Sequence, residues 1–190
     1  MDIPKDKINS PLFILNQSAQ FLSEGIKFAY ENIFSEKAKI ESNKVITKVP
    51  FAATNISFSL ELAFKGLLMY LGRTVKGHDL LKLFDELPSS YQNSIVSCVA
   101  TNYKYPEFNI FVGQTGTTNN IADYVNSDGL SHIEKIRKSL QYNRLTFQEF
   151  RYFHEIDTKD LFFDFRMLCN LSEASIALLS ELISGNINLI

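Results

Sequence analysis

Glu61 and Lys65 stand four residues apart in "SLELAFKGLL", so on a helix they share one face with Phe58 and Leu68. An exposed pair of this kind contributes only about 0.3–0.5 kcal/mol. In so apolar a segment both are expected to be partly buried, where each charge needs a partner. The preferred reading is an internal ion pair that fixes helix register; the competing one is a face that lines a pocket. Further on, "GHDLLKLFDEL" places His78 and Asp79 at a helix start. Asp79 suits the orphan N–H groups and the positive end of the helix dipole there. His78 can cap, bond a carboxylate or act as a base, and a structural role prevails unless an arginine or a nucleophile converges on it.

A third cluster, "FQEFRYFHE", holds Glu149, Arg151, His154 and Glu155. Arg151 and Glu155 are spaced as neighbours on a helix, and His154 lies three residues beyond Arg151. Phe147, Phe150, Tyr152 and Phe153 surround them, so part of the cluster should be packed inside. An arginine among aromatics stacks on a ring or binds a carboxylate with both arms of its fork, and Glu61 is the expected partner of Arg151. The polar cluster expected is Glu61, Lys65, His78, Asp79, Arg151 and Glu155, organising a helical bundle more than performing chemistry. A basic stretch, Lys135, Arg137, Lys138 and Arg144, has the charge to hold a phosphate backbone. A solvated helix face balanced by Glu134 is the simpler account of it.

The elements that would position these groups are helical. Ser10-Pro11 is an N-cap followed by proline at the first helical position, and apolar residues then recur at three- and four-residue steps to about Phe34. Residues 35–49 read as a polar, exposed connection. From Pro50 to Leu71 the chain is apolar almost all round, the mark of a helix in the middle of a bundle, and Gly72 ends it. A short helix runs to Leu87, another from Ser89 to Ala100. Residues 101–120 read as one long loop in which "FNIFV" could pair as a small strand. Ser131 and Glu134 are spaced as a capping box, with a break expected near Tyr142-Asn143. Asp157 or Thr158 should cap the last helix, which Gly185 ends. The fold class expected is all-α: a single domain over residues 1–190, built as a bundle of about five or six helices around the long 101–120 loop.

Bulk properties narrow the function classes. The apolar share of 45% suits a soluble globular chain, and the net charge of −2 supplies no overall field toward polyanions or anionic membranes. No apolar run is long enough for a membrane span. The opening "MDIPKDKINS" has no apolar core, so no signal peptide is expected. Cys98 and Cys169 are far apart with no CxxC pair, which supports neither a zinc site nor a redox dithiol. Two buried free thiols suit a cytoplasmic location. No metal or other cofactor is expected.

"SLELAFKGLLMYLG…GHDLLKLFDEL" resembles the central helical pair of HEPN-domain proteins, an E-x-x-x-K helix followed by a G-H-D-L helix start. "FRYFHE" is similar to the R-Y-x-x-E element near the end of some members. The resemblance implies a helical bundle that commonly forms a homodimer, with roles in RNA cleavage, toxin–antitoxin pairs and anti-phage defence, or in binding nucleotides or protein partners. The nuclease branch uses R-x(4–6)-H, in which histidine moves protons at the 2′-hydroxyl while arginine stabilises charge on the phosphate. Arg73 and His78 have that spacing, but in a glycine-bounded turn. Arg151 and His154 are too close in sequence, and would serve only if contributed across a dimer. The leading expectation is therefore a binding or regulatory module, RNA-related or in defence. A metal-independent endoribonuclease using those four residues is the alternative, and a protein-interaction subunit using the 101–120 loop a third.

Overall fold

The computed structural model describes residues 10–35, 42–102, 104–112, 129–152 and 161–186. Helix α1 (Pro11–Asn32) begins as its sequence requires: the Ser10 hydroxyl accepts from Phe13 N–H at 3.2 Å and Pro11 fills the first turn. Helix α2 (Ser42–Tyr70) is longer than expected. Residues 42–49, read as part of an exposed connection, are its first turns, and Pro50 lies inside the helix rather than at its start. A proline there removes one hydrogen bond, a loss that two flanking helical segments with a buried face can absorb. Ala52, Ala53, Ile56, Leu60, Phe64, Leu67 and Leu68 on α2 are wholly buried. The near-continuous apolar character predicted a central helix, and α2 packs against both α1 and the C-terminal helix.

Two details lock α1 to α2. Ser18 and Ser59 exchange hydrogen bonds, each hydroxyl donating to the other's backbone carbonyl at 2.8 Å. Beside them Gly25 lets the helices approach until a Cβ there would lie 2.8 Å from Ile56.

Gly72, with φ +73°, closes α2. Helix α3 (Leu80–Asp85) follows with Asp79 as its N-cap, accepting from Lys82 N–H. Helix α4 (Ser89–Thr101) comes next, with Pro88 as its N-cap. Strand β1 (Asn109–Val112) occupies part of the expected long loop; residues 113–120 lie outside the described ones. Helix α5 (His132–Tyr142) opens on the full Ser131–Glu134 capping box, and the chain breaks at Asn143 before helix α6 (Thr146–Arg151). Strand β2 (Leu161–Asp164) pairs antiparallel with β1, Asn109 opposite Asp164. Helix α7 (Phe165–Ile183) then runs through the core.

The expectation for α7 needs correcting. Asp164 caps it, accepting from Met167 N–H at 2.9 Å, whereas Asp157 and Thr158 lie outside the described residues. The "LFFD" just before Phe165 is strand, not helix, because its aromatic residues have a partner strand to pair with. Asp164 also accepts from Ser139 at 3.0 Å, and its own N–H donates to the Asn143 side chain. One buried carboxylate thus joins β2, α5 and α7. The class is all-α as expected: among the described residues five long helices and two of six residues each carry the core, with one two-stranded sheet. No described helix is long and apolar enough to cross a membrane.

Candidate functional site

Glu61 projects from α2 and is 1% exposed. One turn later Lys65 returns to it, Nζ to Oε1 at 2.7 Å. The turn after Gly72 brings His78 across, its Nδ1 lying 2.9 and 3.0 Å from the two carboxylate oxygens. An ionised carboxylate only accepts, so Nδ1 carries the hydrogen of this bond. That leaves Nε2 as the nitrogen available to other groups, on a side chain that is 39% exposed. A buried acid, a lysine and an oriented imidazole therefore form one node, the first half of the cluster that sequence reasoning expected.

The second half arrives differently. Helix α6 sets Phe147 against the node: its ring lies 5.7 Å from His78 and stacks on Phe58 at 4.5 Å with an interplanar angle of 19°. Arg151 does not reach Glu61. Its guanidinium lies over the Phe147 ring at 5.7 Å and over Tyr152 at 5.5 Å, so among the described residues its contacts are with rings and not with a carboxylate. Glu61 already has two donors, and Phe147 is the element that both His78 and Arg151 touch. His154 and Glu155 lie outside the described residues.

Beside the stacked rings is a cavity of about 290 Å³ lined by Phe21, Thr54, Asn55, Phe58, Phe147 and Arg151. Its chemistry is an aromatic wall, an amide with a hydroxyl, and one exposed guanidinium. This combination was only partly visible beforehand, because Phe58 and Phe147 are distant in sequence and neither is polar.

Asp79 also acts beyond its cap. Arg144 donates to its Oδ2 from Nη2 at 2.6 Å and from Nε at 3.1 Å, while Leu80 N–H donates to the Arg144 carbonyl. The start of α3 is thereby clamped to the α5–α6 junction. This pairing answers the expectation for the basic stretch as well. Arg144 is committed to Asp79, and Arg137 to Asp85 at 2.6 Å, with Gln92 as a further acceptor. Two of the four cations proposed for a phosphate track thus pair with acids at the two ends of α3, its N-cap Asp79 and its last residue Asp85; Lys135 and Lys138 share α5 with Arg137.

Arg73 and His78 have different partners. Arg73 donates to the Glu86 carbonyl at 3.2 Å, beyond the C-terminal end of α3, while His78 precedes the N-terminal end. Within the chain the two side chains thus make their described contacts with different groups, Arg73 with the Glu86 carbonyl and His78 with Glu61. No group of three or more His, Cys, Asp or Glu able to hold a metal ion occurs among the described residues. Comparison of the chain with protein-family models, curated proteins and solved structures finds no match.

Proposed function

We propose that the protein is a HEPN-like helical binding module that takes single-stranded RNA or a nucleotide at the aromatic and guanidinium cleft beside His78. The observation that carries this reading is the stack of Phe58, Phe147 and Arg151 around an accessible cavity. Bases stack on aromatic faces at about 1–3 kcal/mol each, and arginine serves both ring and phosphate. The Glu61–Lys65–His78 node, which contains the acid and lysine of the E-x-x-x-K element and the histidine of G-H-D-L, holds α2 to the start of α3 behind the cleft. Homodimer formation and a setting in toxin-type or anti-phage defence belong to the proposal through the HEPN resemblance alone. A cytoplasmic location rests on the two free thiols.

A second reading has one observation in its favour. Glu61 fixes Nδ1 of His78 and leaves Nε2 outward, as a carboxylate orients an imidazole that serves as a general base. In that case the protein is a metal-independent endoribonuclease with His78 as the base and its charge-stabilising arginine supplied by a second copy. The protein-interaction reading is served by replacing residues 113–120, since deleting all of 101–120 would remove β1.

The test is a binding titration with labelled single-stranded RNA at rising salt, with a cleavage assay in EDTA on the same samples. The module predicts salt-sensitive binding that Arg151→Ala weakens on the order of tenfold, with intact RNA recovered. Cleavage that disappears in His78→Ala at unchanged helicity would move the assignment to the nuclease. Absence of binding at low salt would overturn both and leave the protein-interaction reading.

A further inference from the structure

A larger cavity, about 760 Å³, lies between α1, α4 and α7 and shares no lining residue with the cleft beside His78. Its size falls within the range of small-molecule sites. The wall is aliphatic: Leu22 and Ala174 are buried, and Ile26 and Ile176 are partly buried. The rim carries Lys27, Lys104 and Glu173. Glu173 is already engaged twice, accepting from the Tyr105 hydroxyl through Oε1 and pairing with Lys104 at 3.1 Å through Oε2. Lys27 has no ion pair among the described residues. Two lysines and one carboxylate thus line this cavity together with its aliphatic residues.

We infer that this cavity binds a monocarboxylate with an aliphatic tail, of the fatty-acid class, its carboxylate between Lys27 and Lys104 and its tail over Leu22, Ile26 and Ala174. Each half of such a ligand answers a feature of the site. The carboxylate can accept from the two lysines of the lining, and the tail removes apolar wall from water at about 25 cal/mol per Å². A compact dianion would leave the wall unmatched, and a neutral hydrocarbon would make no use of Lys27 and Lys104. This inference is independent of the nucleotide-binding proposal.

The chain carries its own reporter. Cys98 lines this cavity and is partly exposed, whereas Cys169 is fully buried in the core and its thiol is pushed up by burial, which keeps it protonated and slow to react. The experiment follows alkylation of Cys98 in the full chain with decanoate as probe, methyl decanoate as its neutral counterpart, and Cys98→Ser to assign the signal. The expected result is that decanoate slows alkylation on the order of tenfold at saturation, while the ester does so far less. Lys27→Glu, at an exposed position that does not endanger folding, should raise the decanoate concentration required on the order of tenfold, equivalent to about 1.4 kcal/mol. Unchanged alkylation overturns the inference. So does equal protection by acid and ester that ignores Lys27→Glu, or faster labelling of both cysteines, the signature of unfolding by a detergent.

Discussion

Removing Lys65 and His78 together should cost the bundle more than the two single removals combined. Glu61 is 1% exposed, and among the described contacts its carboxylate is held by these two side chains. A hydrogen bond to a charged group contributes about 1.5–3 kcal/mol, but Lys65 and His78 are themselves 22% and 39% exposed. Solvent screening lowers each single contribution to about 1 kcal/mol. Either donor alone still satisfies the acid. With both gone the carboxylate is buried and unpaired, a state that costs about 3–5 kcal/mol. The substitutions that isolate this are Lys65→Met, which keeps the stem packing, and His78→Leu, which keeps a contact with Phe147. Urea titrations of the four members of the cycle should show a coupling of about 2 kcal/mol. In melting temperature that is about 2–4 °C for each single variant and roughly 8–16 °C for the double. Adding Glu61→Leu to the double variant should recover most of the loss, because an apolar residue replaces the stranded charge. Additive losses below about 0.5 kcal/mol each would refute the reasoning, since Glu61 would then be behaving as a solvated surface acid.

Three further outcomes follow from other parts of the structure. Gly25→Ala gains about 1 kcal/mol of helix propensity but puts a methyl 2.8 Å from Ile56 Cγ1 and 3.3 Å from its backbone nitrogen. Overpacking of about 1–3 kcal/mol should win, and equilibrium unfolding should find the variant less stable than the parent. Asp79→Ala should destabilise by about 1–2 kcal/mol and Arg144→Ala by less than about 1, because Asp79 both caps α3 and receives the exposed arginine; equal losses in chemical denaturation would contradict this. Burial, and then the bond to Glu173, raise the Tyr105 phenol above its ordinary value of 10.0. The fold therefore favours the protonated form, so this contribution is full below that value and declines as pH rises above it. Thermal melts on the alkaline side should fall less steeply with pH in Tyr105→Phe than in the parent.

Helices were legible wherever their signals were local. Ser10-Pro11, the Ser131–Glu134 box, Asp79 before "LLKLF" and Gly72 each acted where their chemistry placed them, because a cap needs only its own turn. Misreadings came where a distant partner decided. Pro50 marks a helix start in isolation, yet tertiary packing carries α2 through it. "LFFD" continues a helical apolar pattern on paper, and becomes strand because "NIFV" lies beside it. The same division runs through the candidate site. Glu61 and Lys65 were readable from spacing, and Glu61 with His78 from the compact helix–turn–helix between them. For Arg151 the surrounding aromatics leave ring stacking and a carboxylate bond both open, and the sequence has no signal that prefers Phe147 over Glu61. Arg144 reads as one cation of a basic stretch because its acceptor, Asp79, already has a local explanation as a cap.

The β1–β2 pairing has a bearing on how the chain reaches this fold. Helices α1 and α2 are consecutive and pack directly on each other, so their contact closes a short loop and can form early. The two strands are separated by α5 and α6, and their ladder gains nothing until that whole length has been brought back. Asp164, the last residue of β2, is also the cap of α7 and the acceptor of Ser139. The closing of the ladder and the seating of the final helix on α5 thus converge on one residue. Asp164→Ala should accordingly speed unfolding much more than it slows folding, the kinetic behaviour of a group whose contacts form after the barrier.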